Sequence, residues 1–220
     1  MKIFFVTFFI VLADQTTKIL IKGIKIPALG ISIEGMQLYD SFSVIGDFFR
    51  ITYIENPGMA FGIDFGEKAK LFLTLFSLIA SVAITYYLIK HKDEKLTLRI
   101  PLAMILGGAI GNLIDRMFYG VIYGDAPLFY GKVVDFLDFD FFNISLFGYT
   151  YDRWPIFNIA DMSVTIGVIL LIILHREPKE KKETSTEPEA VTQNEISKSE
   201  KVLEGDVIET LSRSDEVRPE

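Results

Sequence analysis

The chain of 220 residues contains no cysteine, only two histidines and a single tryptophan. Without cysteine there is no disulfide, no thiolate nucleophile and no Cys-ligated metal. His91 and His175 both adjoin basic residues at the ends of apolar blocks, which argues against a His-based triad or a zinc site. No internal repeat is present, which weakens the case for an inverted-repeat transporter. Charge is also scarce outside one segment. The formal net charge is -7, and residues 177–220 alone hold 13 acids against 7 bases. That acidity belongs to the tail and says nothing about a substrate.

What is present is apolar and aromatic. Half of the residues are hydrophobic and 19 are Phe, gathered into long blocks, which is a membrane composition. A bilayer core about 30 Å thick takes roughly 20 helical residues. This predicts four transmembrane α-helices, at 3–21, 69–89, 99–118 and 155–174. The first block follows Lys2 as a signal peptide would, but no small-residue cleavage site comes after Leu12 and apolar character resumes beyond Lys18. It therefore reads as an uncleaved helix. Lys90, Lys92, Lys95 and Arg99 join the second and third spans, and Arg176, Lys179, Lys181 and Lys182 follow the fourth. The positive-inside bias places both groups in the cytoplasm, with both termini inside and residues 22–68 and 119–154 outside.

In "DFFRITYIENPGMAFGID", Phe49, Ile51 and Tyr53 alternate with Arg50 and Thr52 before a Pro-Gly turn. A strand and turn are expected there, within an outer β-rich insert covering 24–66. The segment from Glu177 is polar, carries no aromatic residue and cannot bury enough to order itself. Residues 1–176 are thus expected to form the membrane domain and 177–220 a disordered cytoplasmic tail.

The spans hold few polar side chains: Asp14, Gln15 and Lys18; Asn112, Asp115 and Arg116; Asn158 and Asp161. All fall in the outer halves, which is not the through-membrane polar line a proton or cation transporter needs. Embedded acids are costly unless paired or solvated, so they mark candidate functional sites. Asn158 and Asp161 stand at i, i+3, and Asn112 precedes Asp115 and Arg116 by three and four, so each set is expected on one helix side. Asp161 lies six residues beyond Pro155, about 9 Å below the expected outer end of its helix. Asp14 and Lys18, at i, i+4 in the favourable acid-first order, read either as a local ion pair at the membrane edge or as part of a site. Gly107 and Gly111 have small-xxx-small spacing, the mark of close helix packing.

Just before the fourth span, "GKVVDFLDFDFF" offers Asp135, Asp138 and Asp140. They read either as solvated acids following a strand or as partners for Asp161. Two carboxyls brought close in a poorly hydrated site share a proton, because both cannot ionise cheaply. That is how an aspartic protease works: one member draws a proton from water while the other polarises the scissile carbonyl.

"DQTTK" (14–18), "NPGMAFG" (56–62), "GGAIGNLIDR" (107–116), "VVDF" (133–136) and "FNIAD" (157–161), in this order, closely resemble the lipoprotein signal peptidases, the bacterial signal peptidase II enzymes. The resemblance covers residues 1–176. It implies a four-helix membrane core with a small extracytoplasmic β-cradle. It also implies an aspartic endopeptidase of the bacterial inner membrane, sensitive to globomycin, that removes the signal peptide from diacylglyceryl-modified prolipoproteins. The family's catalytic aspartates fall on Asp135 and Asp161. Asp14, Lys18, Asn56, Gly58, Asn112, Arg116 and Asn158 match or adjoin positions that support the site or contact substrate, and Asp115 reads as structural, holding Arg116.

The active site is then expected at the outer membrane face of a monomer. Its partners are prolipoproteins and membrane lipid, with no nucleic acid, metal or organic cofactor implied. In this chain "VIYGDAPLFYG" is inserted between Gly120 and Lys132, and "DFDFFNISLFGYTYDRW" lengthens the next segment. The insertion puts the path into Asp135 in question. An inactive scaffold of the same family would lack one of the two acids, and both are present.

Overall fold

The computed structural model describes residues 2–58, 66–141, 144–146, 149–151 and 153–174. All of these belong to the first of two units, Met1–Arg176; the expected tail, 177–220, lies outside the described residues, as do Met59–Phe65 of the outer insert. Among the described residues, five α-helices carry the fold: α1 (Phe4–Lys22), α2 (Gly66–Lys90), α3 (Leu96–Ile114), the short α4 (Gly120–Tyr123) and α5 (Ile159–Leu174). A π-helical turn, Asp115–Tyr119, joins α3 to α4.

Among the described residues, three helices are long and apolar enough to cross a membrane: Phe4–Lys22, Lys70–Lys90 and the continuous Leu96–Tyr123. The fourth expected span, 155–174, is shorter than predicted. Its helix, α5, has 16 residues and starts at Ile159, about 24 Å of helix. Residues 154–157 are extended because their backbone is used elsewhere: Trp154 N–H donates to Phe139 O (3.0 Å), Phe157 N–H donates to Leu137 O (3.2 Å), and Phe157 O accepts from Leu137 N–H (2.8 Å).

The helices are packed inside out relative to a water-soluble bundle. Phe5, Phe9, Phe72, Phe76 and Ile79 are exposed, whereas Asp14, Lys18, Asn112, Asp115 and Asn158 are buried. Lipid gives apolar side chains no penalty for facing outward, so packing and interhelical hydrogen bonds hold the helices together. Thr7 donates to Ala103 O (2.9 Å) and Ser163 to Met104 O (2.9 Å). Glycines let α3 come close to its neighbours, as the sequence spacing predicts. A Cβ at Gly107 would stand 2.9 Å from Ile10, and one at Gly111 would stand 2.6 Å from the Asp14 carboxylate and 3.1 Å from Ala160.

Of seven described strands, three form the sheet that matters for the site. β3 (Ser41–Ile45), β4 (Phe49–Asn56) and β5 (Val133–Phe139) pair antiparallel in the order β3-β4-β5. β4 is the strand expected from the alternation in 49–53. Ile51 faces Leu137 and Arg50 faces Asp138, and an irregularity between Ile51 and Ile54 shifts the register so that Ile54 faces Asp135. Two small hairpins accompany this sheet: β1–β2 (Ile24–Ile26 with Ile31–Ile33) within the insert, and β6–β7 (Ile144–Leu146 with Tyr149–Tyr151) in the segment before α5. A cluster of Tyr53, Tyr119, Val134, Phe136 and Leu137 seals the sheet against the end of the third helix.

Candidate active site

The strand bearing Asp135 and the helix bearing Asp161 are fastened together by the extended segment 153–157. Trp154 and Phe157 make its backbone bonds to β5, and Arg153 donates from Nε to Asp138 Oδ1 (2.7 Å) and from Nη1 to Asp47 O (2.9 Å). Asp138 also accepts the Thr52 hydroxyl (2.6 Å). Asp138 is therefore a buried anchor of the sheet, not a solvated loop acid, and Asp140 is a weaker partner of Arg153 at 3.5 Å. Asp135 itself is buried.

Asn158 and Asp161 do not line one helix side as their spacing suggested. Asn158 precedes α5 and caps it: its Oδ1 accepts Asp161 N–H (2.9 Å), while Asp161 Oδ2 accepts Asn158 N–H (3.3 Å). This reciprocal pair is a capping box. Asp161 sits in the first turn, not about 9 Å along the helix, because α5 starts at Ile159.

Three asparagines converge on the two acids. Asn158 donates from Nδ2 to Asp135 Oδ1 (2.6 Å), Asn56 to Asp135 Oδ2 (3.2 Å), and Asn112 to Asp161 Oδ1 (2.7 Å). In each case the amide oxygen is held by a group that can only donate: Asp161 N–H for Asn158, Gly58 N–H (2.9 Å) for Asn56, and Lys18 Nζ (3.0 Å) for Asn112. An amide whose oxygen is so held must turn its NH₂ the other way, so all three orientations are forced. Gly58 has φ +107°, a conformation that side-chain-bearing residues rarely adopt, and this lets its N–H turn back to Asn56.

Asp14 and Lys18 do form the expected ion pair, but as part of a larger buried network. Both are fully buried, and Lys18 Nζ reaches Asp14 (2.9 Å), Asp115 (2.8 Å) and Asn112 together. Asp115 binds Lys18, Gln15 Nε2 (2.9 Å) and Val134 N–H (3.1 Å) in place of the expected Arg116. A second carboxylate, Asp115, brought by another helix is what turns the local pair into a buried network. Arg116 lies within electrostatic range of Asp161, Asp115 and Asp135, and its carbonyl accepts Gly131 N–H (2.9 Å). That last bond folds the inserted loop back so that β5 starts beside the π-helical turn.

Burial raises the Asp135 pKa to about 8, and the neighbouring Asp161 charge adds to the rise against donors from Asn56 and Asn158. Beside Asp161 a groove of about 460 Å³ is lined by Phe139, Phe141, Trp154, Met162 and Ile166 among others. Next to Asn56, burial pushes the Glu55 carboxyl up, but hydrogen bonds from Lys22, Lys132 and Tyr53 outweigh it and hold the group below the usual carboxylate range. This cluster ties β4 to the end of α1. Among the described residues, no group of three or more His, Asp or Glu side chains is arranged to hold a metal ion.

The family model described as "Signal peptidase (SPase) II" matches residues 6–176. The chain belongs to the signal peptidase II family. The lipoprotein signal peptidase of Pelodictyon phaeoclathratiforme is 38% identical over 178 residues, covering 80% of this chain and 92% of that one. The lipoprotein signal peptidase of Bacillus pumilus is 39% identical over 184 residues, 83% of this chain and 98% of that one. A solved bacterial membrane enzyme, determined by the in meso method, is 36% identical with a TM-score of 0.59, covering 83% of this chain and 92% of the other. In this signal peptidase II chain, Gln15, expected only as one of the polar side chains of the first span, bonds Asp115, and Asp138, expected either solvated or beside Asp161, is anchored by Arg153 and Thr52, for which the sequence suggests no site role. Gln15 had a signal, an amide beside Asp14 inside an apolar span; Arg153 had none.

Proposed function

We propose that the chain is an aspartic endopeptidase that removes the signal peptide from diacylglyceryl-modified prolipoproteins, cutting the bond just before the lipidated cysteine. Family membership supports the reaction. The convergence of three fixed amides on Asp135 and Asp161 is the observation that carries the chemistry. Asp135, with its raised pKa, holds the pair's proton near neutral pH and donates it in a hydrogen bond to the scissile carbonyl oxygen. Asp161 takes a proton from the attacking water, whose oxygen bonds to the carbonyl carbon. Collapse of this intermediate breaks the C–N bond; the leaving nitrogen takes the proton that Asp161 drew from water and becomes the free amine of the lipidated cysteine, and Asp135 keeps its proton as the carbonyl re-forms in the new carboxyl of the signal peptide.

Asn56, Asn112 and Asn158 hold both carboxyls in place, so little reorganisation is left for the reaction itself. Asp14, Lys18, Gly58 and Arg116 support this first layer, and Arg116 supplies positive charge beside the developing oxyanion. The acids belong at the outer face of the cytoplasmic membrane, with four spans and both termini inside. Charge bias supports that orientation, and the apolar groove beside Asp161 suits a substrate whose lipid remains in the bilayer. The test is incubation of the purified protein with a diacylglyceryl-modified prolipoprotein, with and without globomycin. Signal-peptide release that globomycin blocks is expected, and an intact substrate after prolonged incubation would refute the reading.

A further inference from the structure

Lys18 makes no hydrogen bond to Asp135 or Asp161, yet its three N–H donors are each committed to a different arm of the site. One goes to Asp14 (2.9 Å), and the other oxygen of Asp14 accepts Ala160 N–H (2.9 Å), the residue beside Asp161. The second goes to Asp115 (2.8 Å), which accepts Val134 N–H (3.1 Å), the residue beside Asp135. The third goes to Asn112 (3.0 Å), whose NH₂ is thereby turned onto Asp161 (2.7 Å). An ammonium has three donors and no acceptor, so the set is complete. We propose that Lys18 is a positioning residue: a three-armed hub in the helical core that sets the separation of Asp135 and Asp161.

The geometry favours this over a merely stabilising ion pair. Desolvating two carboxylates and an ammonium offsets most of their attraction, and such groups are often replaceable by apolar ones without loss of stability. A buried charge network that ends on the residues flanking both acids has a use that stability alone does not supply. The hub also draws on four separate parts of the chain: α1, α3 with its π-helical turn, the start of β5 and the start of α5. A shift of about 1 Å at a reacting group can cost about 100-fold in rate. Arginine cannot take the place of Lys18, because a planar fork does not reach three partners arranged around one nitrogen.

The proposal rests on the peptidase reading, and the test separates the two. Lys18→Met combined with Asp115→Asn removes one charge of each sign, leaves Asp14 to hold Ala160, and keeps a side-chain oxygen for Val134. The wild type, this double variant and Leu88→Ala, in the apolar cluster with Ile3 and Leu106, are compared for thermal stability, kcat and KM on a lipidated prolipoprotein. We expect the double variant to be folded, with kcat down about 100-fold and KM within threefold of wild type. Leu88→Ala should lose stability and keep its kcat. A double variant with wild-type kcat overturns the hub. So does one that does not fold, because the network would then be needed for stability and not for placement. If the wild type itself does not cleave, it is the peptidase reading that fails.

Discussion

Asn158 does two things with one side chain, and replacing it by serine separates them. Its Oδ1 caps α5 through Asp161 N–H, while its Nδ2 donates 2.6 Å to Asp135 Oδ1. Serine is as good an N-cap as asparagine but has no second arm to reach Asp135. A hydrogen bond to a buried charged group contributes about 1.5–3 kcal/mol. Lost from the reacting state, it lowers kcat about 10- to 150-fold. The Asn158→Ser variant should therefore be slow while keeping its helix cap, and Asn158→Ala should lose about 1 kcal/mol of stability beyond it. The pH profile adds a signed test. Removing a donor from the carboxylate disfavours its ionised form, so the Asp135 pKa rises further and the alkaline limb of kcat moves to higher pH. The assay is initial-rate cleavage of a lipidated prolipoprotein by each variant across pH, with thermal melts alongside. An Asn158→Ser enzyme with wild-type kcat and an unmoved alkaline limb would refute the reasoning.

Two further predictions concern stability. Because the folded-state pKa of Asp135 is raised to about 8, the native state holds that proton more tightly than the unfolded chain does. The carboxyl's contribution is fully present below the ordinary aspartate pKa and is lost as pH rises through about 8. Asp135→Asn cannot ionise, so it should melt above the wild type at alkaline pH and converge with it in acid; a pH-independent difference would contradict this. At Gly111, an added Cβ meets the Asp14 carboxylate at 2.6 Å and Ala160 at 3.1 Å. Gly111→Ala should cost about 1–3 kcal/mol, read as a lower midpoint of unfolding, and an unchanged midpoint would show that α1 and α5 can yield there.

The membrane helices were legible because lipid imposes length and apolarity on a continuous stretch. Where the reading of the fourth helix failed, the cause was tertiary: Pro155 and Phe157 continue an apolar run, but β5 takes the backbone of 154–157 before a helix can form. Asp14 and Lys18 show a second limit. Their i, i+4 spacing gives the pair, yet nothing local reports that Asp115 arrives from another helix to bury it. The motifs located Asn112 and Asn158, whereas the direction of each amide depends on Lys18 and on the cap of α5. Asp138 could not be told from a solvated acid, since its partner Arg153 is fifteen residues away along the chain and meets it only once the segment 153–157 lies alongside β5.

The account turns on Asp135 and Asp161 acting together on one bond. The most direct measurement is cleavage of a diacylglyceryl-modified prolipoprotein by purified wild type, Asp135→Asn and Asp161→Asn, with folding of each checked by thermal melting. Both variants should be folded and release no signal peptide while the wild type does. Substantial cleavage by either folded variant would contradict the shared-proton pair.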